Sequence, residues 1–192
     1  MNPKVLLIDM DGVLCQYDKR LLELAHIRYG LPLYQPALVS LFDTHEIFGG
    51  KMASAVERLA LEQGFFSSLA PMDGAVTAFH EIVSASREYG FEVFICTTAK
   101  RFYKNPHCLF EKGEWVSHHL GREHTDRLIF TRDKTLVYGT VLVDDKPVIS
   151  GSVQPSWRHV HFDRPYNREV AGQKLPNWSS WKEVLLPYLI QK

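Results

Sequence analysis

The chain has 192 residues, 45% of them hydrophobic, and its 22 basic side chains are balanced by 22 acidic ones. That length suits one domain, or one domain with an insertion, around a sizeable core. The neutral balance argues against a surface that coats nucleic acid, so stable nucleic-acid binding is not expected. No apolar run reaches the roughly 18 residues that begin to suggest a membrane span. The first residues also lack the charged, apolar, small order of a secretory signal. Cys15, Cys96 and Cys108, odd in number and unpatterned, fit a reducing, cytoplasmic setting.

The first element is Lys4-Val-Leu-Leu-Ile-Asp9-Met-Asp11-Gly12-Val-Leu14. Val5 to Ile8 reads as a strand buried on both faces, as parallel strands in α/β proteins are. Asp9 and Asp11 then stand at its carboxyl end, where open α/β sheets bind ligands, and Gly12 permits a sharp turn. Two acids so close repel each other unless a cation joins them, and Mg²⁺ prefers such oxygen ligands. Taken alone, Asp-x-Asp after an apolar run is a weak signal, since many strands simply run into a polar turn.

Tyr17 to Tyr29 has apolar residues at helical spacing and ends at Gly30 and Pro32. Pro36 to Phe48 is irregular and aromatic-bearing. Lys51 to Gln63 is helical in composition and period and stops at Gly64, before Phe65-Phe66 and a Pro71-Met-Asp-Gly74 turn. A βα crossover needs far fewer residues than this. The excess, residues 16–71, reads as a small helical cap inserted into a core made of 1–15 and 72–192.

From Ala75 the α/β alternation resumes. Ala75 to Tyr89 is an amphipathic helix stopped by Gly90, and Phe91 to Cys96 is a second strand ending at Thr97-Thr98. Phe110 to Leu120 is a helix, Arg127 to Thr131 a short strand, and Thr140 to Val143 a fourth strand ending in Asp144-Asp145. His159 to Phe162 makes a fifth, and a helix over 178–190 closes the chain, bent or ended by Pro187. The expected fold is therefore α/β: a three-layer, Rossmann-like core with a parallel sheet, plus the cap.

Successive strand ends thus carry Asp-x-Asp, Thr-Thr and Asp-Asp, with Lys134 in the loop before the last pair. In a parallel sheet these lie on one edge. Together they supply phosphoryl-transfer chemistry: a carboxylate nucleophile, a second acid to protonate the leaving oxygen, hydroxyls and an ammonium for phosphoryl oxygens, and carboxylates for Mg²⁺. The histidines do not suggest a metal centre. His107-Cys108 and His118-His119 lack zinc spacing, and His159 and His161 share a strand face without an evident third ligand.

These motifs resemble the haloacid dehalogenase superfamily of phosphatases. More closely, DMDGVL at 9–14, VFICTT at 93–98, LIFTRDKT at 128–135, LVDDK at 142–146, PSW at 155–157 and WSSWKEVL at 178–185 resemble the 5′(3′)-deoxyribonucleotidases. The resemblance implies Asp9 as nucleophile and Asp11 as general acid/base. It implies Thr97, Thr98 and Lys134 as phosphate-holding groups, with Lys100 or Arg101 as a further contact. It implies a Mg²⁺ site from Asp9, the backbone carbonyl of Asp11, Asp145 and Asp144. Tyr17 takes the place of an aromatic that lines the nucleoside pocket, with Phe42 and Phe48 as cap-side partners or, equally, cap-core aromatics. The expected substrate is a nucleoside monophosphate, most of all a deoxyribonucleotide, and the family suggests a homodimer. Two alternatives stay open: a phosphatase of this fold for another small ester or a nucleic-acid 3′ end, and a non-catalytic nucleotide binder.

Overall fold

The computed structural model describes residues 3–33, 47–99 and 104–190. Six strands, β1 (Lys4–Ile8), β2 (Phe91–Thr97), β3 (Leu128–Phe130), β4 (Val141–Asp144), β5 (Arg158–Phe162) and β6 (Gln173–Leu175), form one sheet in the order β3-β2-β1-β4-β5-β6. Every neighbouring pair is parallel. The chain builds outward from β1 in one direction through β2 and β3, then crosses back to build β4, β5 and β6 on the other side. β1 therefore sits where the strand order reverses, the place at which sheets of this kind open a crevice for ligands. Its residues Leu6, Leu7 and Ile8 are wholly inaccessible, as a central parallel strand requires.

Among the described residues, five α-helices accompany the sheet: α1 (Tyr17–Tyr29), α2 (Gly50–Leu59), α3 (Ala75–Tyr89), α4 (Cys108–His119) and α5 (Trp181–Leu189). The stop read at Gly90 is a left-handed cap whose N–H donates to the Ser86 carbonyl. One face of the sheet carries the main core, in which Leu6, Ile8, Val93, Ile95, Val143 and Val160 meet Phe79, Ile82, Trp115, Trp178 and Trp181 from the helical side. The opposite face carries a smaller cluster of Val5, Leu7, Cys96, Leu142 and Trp157, in which, among the described residues, no α-helical residue takes part. Each of the four tryptophans buries its ring and still satisfies its indole N–H: Trp115 on Leu69 O, Trp157 on Lys134 O, Trp178 on Val13 O and Trp181 on Glu81 Oε2.

Three details depart from the sequence reading. A sixth strand, β6, adds to the five expected. The helix read over 51–63 ends at Leu59, where Ala60, Leu61 and Glu62 pass into tighter turns bonded three residues back, and Glu111 of α4 then holds the N–H groups of Gly64 (2.7 Å) and Phe66 (3.0 Å). The closing helix is preceded by a 3₁₀ turn over Trp178–Ser180, where the Asn177 side chain accepts from Ser179 N at 3.0 Å. Pro187 lies inside α5, two residues before its end.

The chain leaves the sheet region after Cys15 and returns at Pro71, with the two passages bonded side by side. Gln16 N donates to Ala70 O (2.9 Å), Gln16 Nε2 to Pro71 O (2.8 Å), and Met72 N to Leu14 O (2.8 Å). Between them α1 and α2 pack on each other, and Tyr17 stands edge-on to Phe65 with ring centres 5.3 Å apart.

Candidate active site

Register sets the site. Ile8 pairs with Ile95 on one side and Val143 on the other, so the next residues, Asp9 and Asp144, emerge level with each other from adjacent strands. Asp9 N still donates to Val143 O at 2.9 Å, which holds the first carboxylate against the sheet edge. The chain then turns at Gly12, whose φ is +77°. A Cβ there would run into the Asp145 carboxylate, so the glycine is required by both conformation and space.

Asp9, Asp144 and Asp145 are all buried, and each offers an oxygen within 4.8 Å of the others. Lys134, presented by a short 3₁₀ turn, lies between two of them, 2.8 Å from Asp9 Oδ1 and 2.5 Å from Asp144 Oδ2. Its turn is pinned by Asp133, which accepts from Thr135 N (2.9 Å) and Ser152 N (2.7 Å), and by the Trp157 indole on the Lys134 carbonyl. Asp144 has both oxygens engaged, since Lys146 N donates to Oδ1 at 2.9 Å. Asp145 accepts from the Tyr166 hydroxyl. Asn167, fully buried, donates to the carbonyls of Asp145 (2.7 Å) and Phe162 (2.8 Å), fastening this segment to the end of β5.

The charges here are out of balance. Burial raises the Asp9 carboxyl above its ordinary value; Lys134 opposes that shift and Asp144 adds to it. Asp145 is pushed well above the ordinary value by burial and then by Asp144 and Asp9. Burial works against the Lys134 ammonium, but its two carboxylate partners outweigh burial and leave its pKa raised. A group of mutually repelling, desolvated oxygens around one ammonium fits a divalent cation of the oxygen-seeking kind. The neighbouring thiols are not rival nucleophiles: burial holds Cys96 up at about 11, and Cys15 is also raised well above its usual value.

On the β2 side of β1 lies a second arrangement. Asp11 Oδ2 accepts from Lys112 Nζ at 2.7 Å, and the same ammonium donates to Thr97 Oγ1 (2.8 Å) and the Thr98 carbonyl (2.9 Å). Thr97 is fully buried and faces Lys112, whereas Thr98 is exposed and lines the cavity. The cavity, about 410 Å³, is also lined by Asp9, Asp11, Lys134, Asp144 and Asp145 at one end and by Tyr17, Asp18, Leu21, Phe48 and Glu57 at the other. That volume is of the size that holds a small organic ligand. Exposed Arg132 and Lys146 stand on its wall. The structure thus brings together Asp9, Asp11, Thr98, Lys134, Asp144, Asp145, Tyr17 and Phe48, while Phe42, Lys100 and Arg101 lie outside the described residues.

Sequence reading missed Lys112 and Tyr166. On α4 the buried positions are Cys108, Glu111, Lys112, Trp115 and Val116, a helical stripe on which a lysine is out of place. That misplacement was the available signal. Tyr166 follows the fifth strand end, one strand beyond the four whose ends were read for chemistry.

A parallel sheet with acids at the strand-order reversal, faced by a buried lysine and by hydroxyls from the next strand, has the fold of the haloacid dehalogenase-like hydrolases. Solved structures agree on the fold: a predicted phosphatase from Clostridium acetobutylicum (TM-score 0.62, 10% identity, 97% of this chain and 100% of that one) and a HAD-hydrolase from Bacillus subtilis bound to magnesium (TM-score 0.54, 11% identity, 96% and 99%) are similar to it. The family model described as "5′ nucleotidase, deoxy (Pyrimidine), cytosolic type C protein" matches residues 3–190. A Bordetella bronchiseptica relative is 37% identical over 184 residues, covering 94% of this chain and 95% of its own. The human "5′(3′)-deoxyribonucleotidase, cytosolic type" is 35% identical over 189 residues, covering 93% and 92%. The chain belongs to this deoxyribonucleotidase family of phosphoric monoester hydrolases.

Proposed function

We propose that the chain is a Mg²⁺-dependent 5′(3′)-deoxyribonucleotidase that works through an aspartyl phosphate on Asp9. The observation that carries this reading is Asp9 itself: buried at the strand-order reversal, 2.8 Å from Lys134, and open to a cavity of about 410 Å³. The activity for which the relatives are named supports it, as does the magnesium bound to the Bacillus subtilis fold neighbour.

In this reading the phosphoryl group enters between Asp9 and the Thr98 hydroxyl. Lys134 and the exposed Arg132 and Lys146 draw its oxygens inward. A carboxylate oxygen of Asp9 attacks phosphorus; the ester P–O bond breaks, and the departing nucleoside oxygen takes a proton from Asp11. Water then attacks the aspartyl phosphate, gives a proton to Asp11, and phosphate leaves as the Asp9 carboxylate is restored. Asp9 and Asp145, with the Asp11 carbonyl, would hold Mg²⁺; Asp144, whose two oxygens already serve Lys134 and Lys146 N, orients the lysine. When bound, the ion supplies Lewis-acid neutralisation of phosphoryl charge. Residues 16–71 act as the cap, and Tyr17, with Phe48 across the cavity, offers the flat apolar surface that a base requires.

The test is phosphate release with Mg²⁺ from dUMP, dTMP, dGMP, their 3′ isomers, the matching ribonucleotides and several sugar phosphates. Deoxynucleotides should lead. Asp9→Asn should fold normally and lose turnover by about 10⁴-fold or more, as removal of a covalent nucleophile does. Activity on sugar phosphates alone would overturn the substrate class and leave the chemistry in place.

A further inference from the structure

Lys112 has no place in the chemistry above, yet no side chain in the site is more deeply set. It is wholly inaccessible, on the buried stripe of α4, and its ammonium makes three hydrogen bonds: to Asp11 and the carbonyl of Thr98, residues that line the cavity, and to the buried Thr97 hydroxyl beside them. An ammonium in such a place is costly unless every proton is used, and here all three are. The phosphate end of the cavity already has Lys134. Lys112 faces the back of Asp11, whose side chain keeps 27% of its surface.

We propose that Lys112 is the positioning residue for the general acid/base, an inference that rests on the reading of Asp11 given above. The bond falls on Oδ2. Among the described residues, the other oxygen, Oδ1, has only the Cys15 thiol at 3.8 Å, a weak donor at long range. Lys112 therefore fixes the rotation of the carboxyl group, so that Oδ1 is the oxygen left to carry the proton into the cavity. When that proton passes to the leaving oxygen, the P–O electron pair goes to the nucleoside. Asp11 is left as a carboxylate, its new charge meeting an ammonium already in contact. Water returns the proton in the second half of the cycle, so nothing else need be supplied. Because the same ammonium holds Thr97 and the Thr98 carbonyl, it also sets the distance between the acid and the end of β2. Lys112 stands 5.0 Å from the centre of the Phe66 ring, and adjacent Glu111 holds the N–H of Phe66. One turn of α4 thus anchors both the acid and the chain returning toward Pro71.

A positioning role predicts a dependence on the leaving group. A nucleoside alkoxide must be protonated as it departs, whereas p-nitrophenolate leaves without help. In single-turnover experiments Lys112→Met should slow dUMP or dTMP cleavage by about 100-fold or more, and p-nitrophenyl phosphate by less than about 5-fold, in line with the 10²–10⁴ typical of general acid catalysis. KM should move little for either. Equal slowing of both esters, or of neither, would overturn the proposal. Asp11→Asn combined with Lys112→Met removes both charges, so it leaves no buried carboxylate unpaired if the single variant fails to fold. The pair should match Asp11→Asn alone on both esters, because Lys112 acts through Asp11. A further loss beyond Asp11→Asn would overturn it as well. Wild-type protein inactive on every ester would instead defeat the functional reading on which this one stands.

Discussion

The two flanks of β1 solve the problem of buried charge in opposite ways. On the β2 side one ammonium, Lys112, meets one carboxylate, Asp11, and spends its other protons on a hydroxyl and a carbonyl. On the β4 side three carboxylates, Asp9, Asp144 and Asp145, crowd together, and among the described residues one buried ammonium, Lys134, pairs with two of them. The first flank is complete as it stands. The second carries excess negative charge in a desolvated place, which is stable only with a further cation or with protons taken up. The difference separates a flank whose charges and hydrogen bonds are matched from one whose excess negative charge favours a bound cation.

The sharpest way to break this comparison is to remove Lys134. Lys134→Met leaves Asp9 and Asp144 facing each other without a counter-charge, and breaking a buried pair in this way costs about 3–5 kcal/mol. Turnover should fall by about 10³-fold, the scale on which a single electrostatic clamp acts. Urea unfolding and phosphate release check the two figures. If Lys134→Met kept wild-type stability, the β4 flank would not depend on its single ammonium.

The next effect is smaller and concerns the metal alone. The Tyr166 hydroxyl and the Asn167 amide hold Asp145 by its carboxylate and its carbonyl, the contacts that would orient it as the metal ligand proposed above. Tyr166→Phe should weaken Mg²⁺ binding by about 10- to 100-fold while leaving the metal-free melting temperature nearly unchanged. Mn²⁺ titration followed by electron paramagnetic resonance reads this without any reference to turnover. The same substitution should leave the Lys112 flank untouched.

What could be read from sequence divides along the same line. Asp9, Asp11, Thr98, Asp144 and Asp145 follow apolar runs closely and Lys134 lies in the loop after β3, so the rule that parallel strands end on one edge is enough to gather them. Lys112 lies in mid-helix, and its role depends on which face of α4 meets the sheet, a fact fixed by Trp115 and Val116 packing far from the motifs. β6 has only three residues, Gln173–Leu175, with Leu175 alone fully buried, too short and polar to show a period. Glu111 holds the turn after α2, at Phe66, from 45 residues away, which local propensity does not register. The strand ends are local information; the supports behind them are tertiary.

The smallest effect tests the charge excess most directly. Asp9 and Asp145 have carboxyl pKa values raised above 3.8, by burial first, with the other acids of the cluster adding to it. Between 3.8 and those raised values the folded chain holds more protons than the unfolded chain. Metal-free stability therefore falls as pH rises through that interval and levels off above it. Mg²⁺ competes with those protons, so the stabilisation that it gives should be small at the acid end and grow as pH rises. At 100 times its Kd it amounts to about 2.7 kcal/mol. Asp145→Asn removes one of the three acids and can still accept from Tyr166. Metal-free Asp145→Asn should melt above metal-free wild type at neutral pH, show a shallower decline with rising pH, and gain little from added Mg²⁺. Melting curves across pH, with Mg²⁺ and with chelator, give all three readings. A variant less stable than wild type without metal would mean that the three carboxylates are held by their hydrogen bonds rather than strained by their charge, and the two flanks would then be alike.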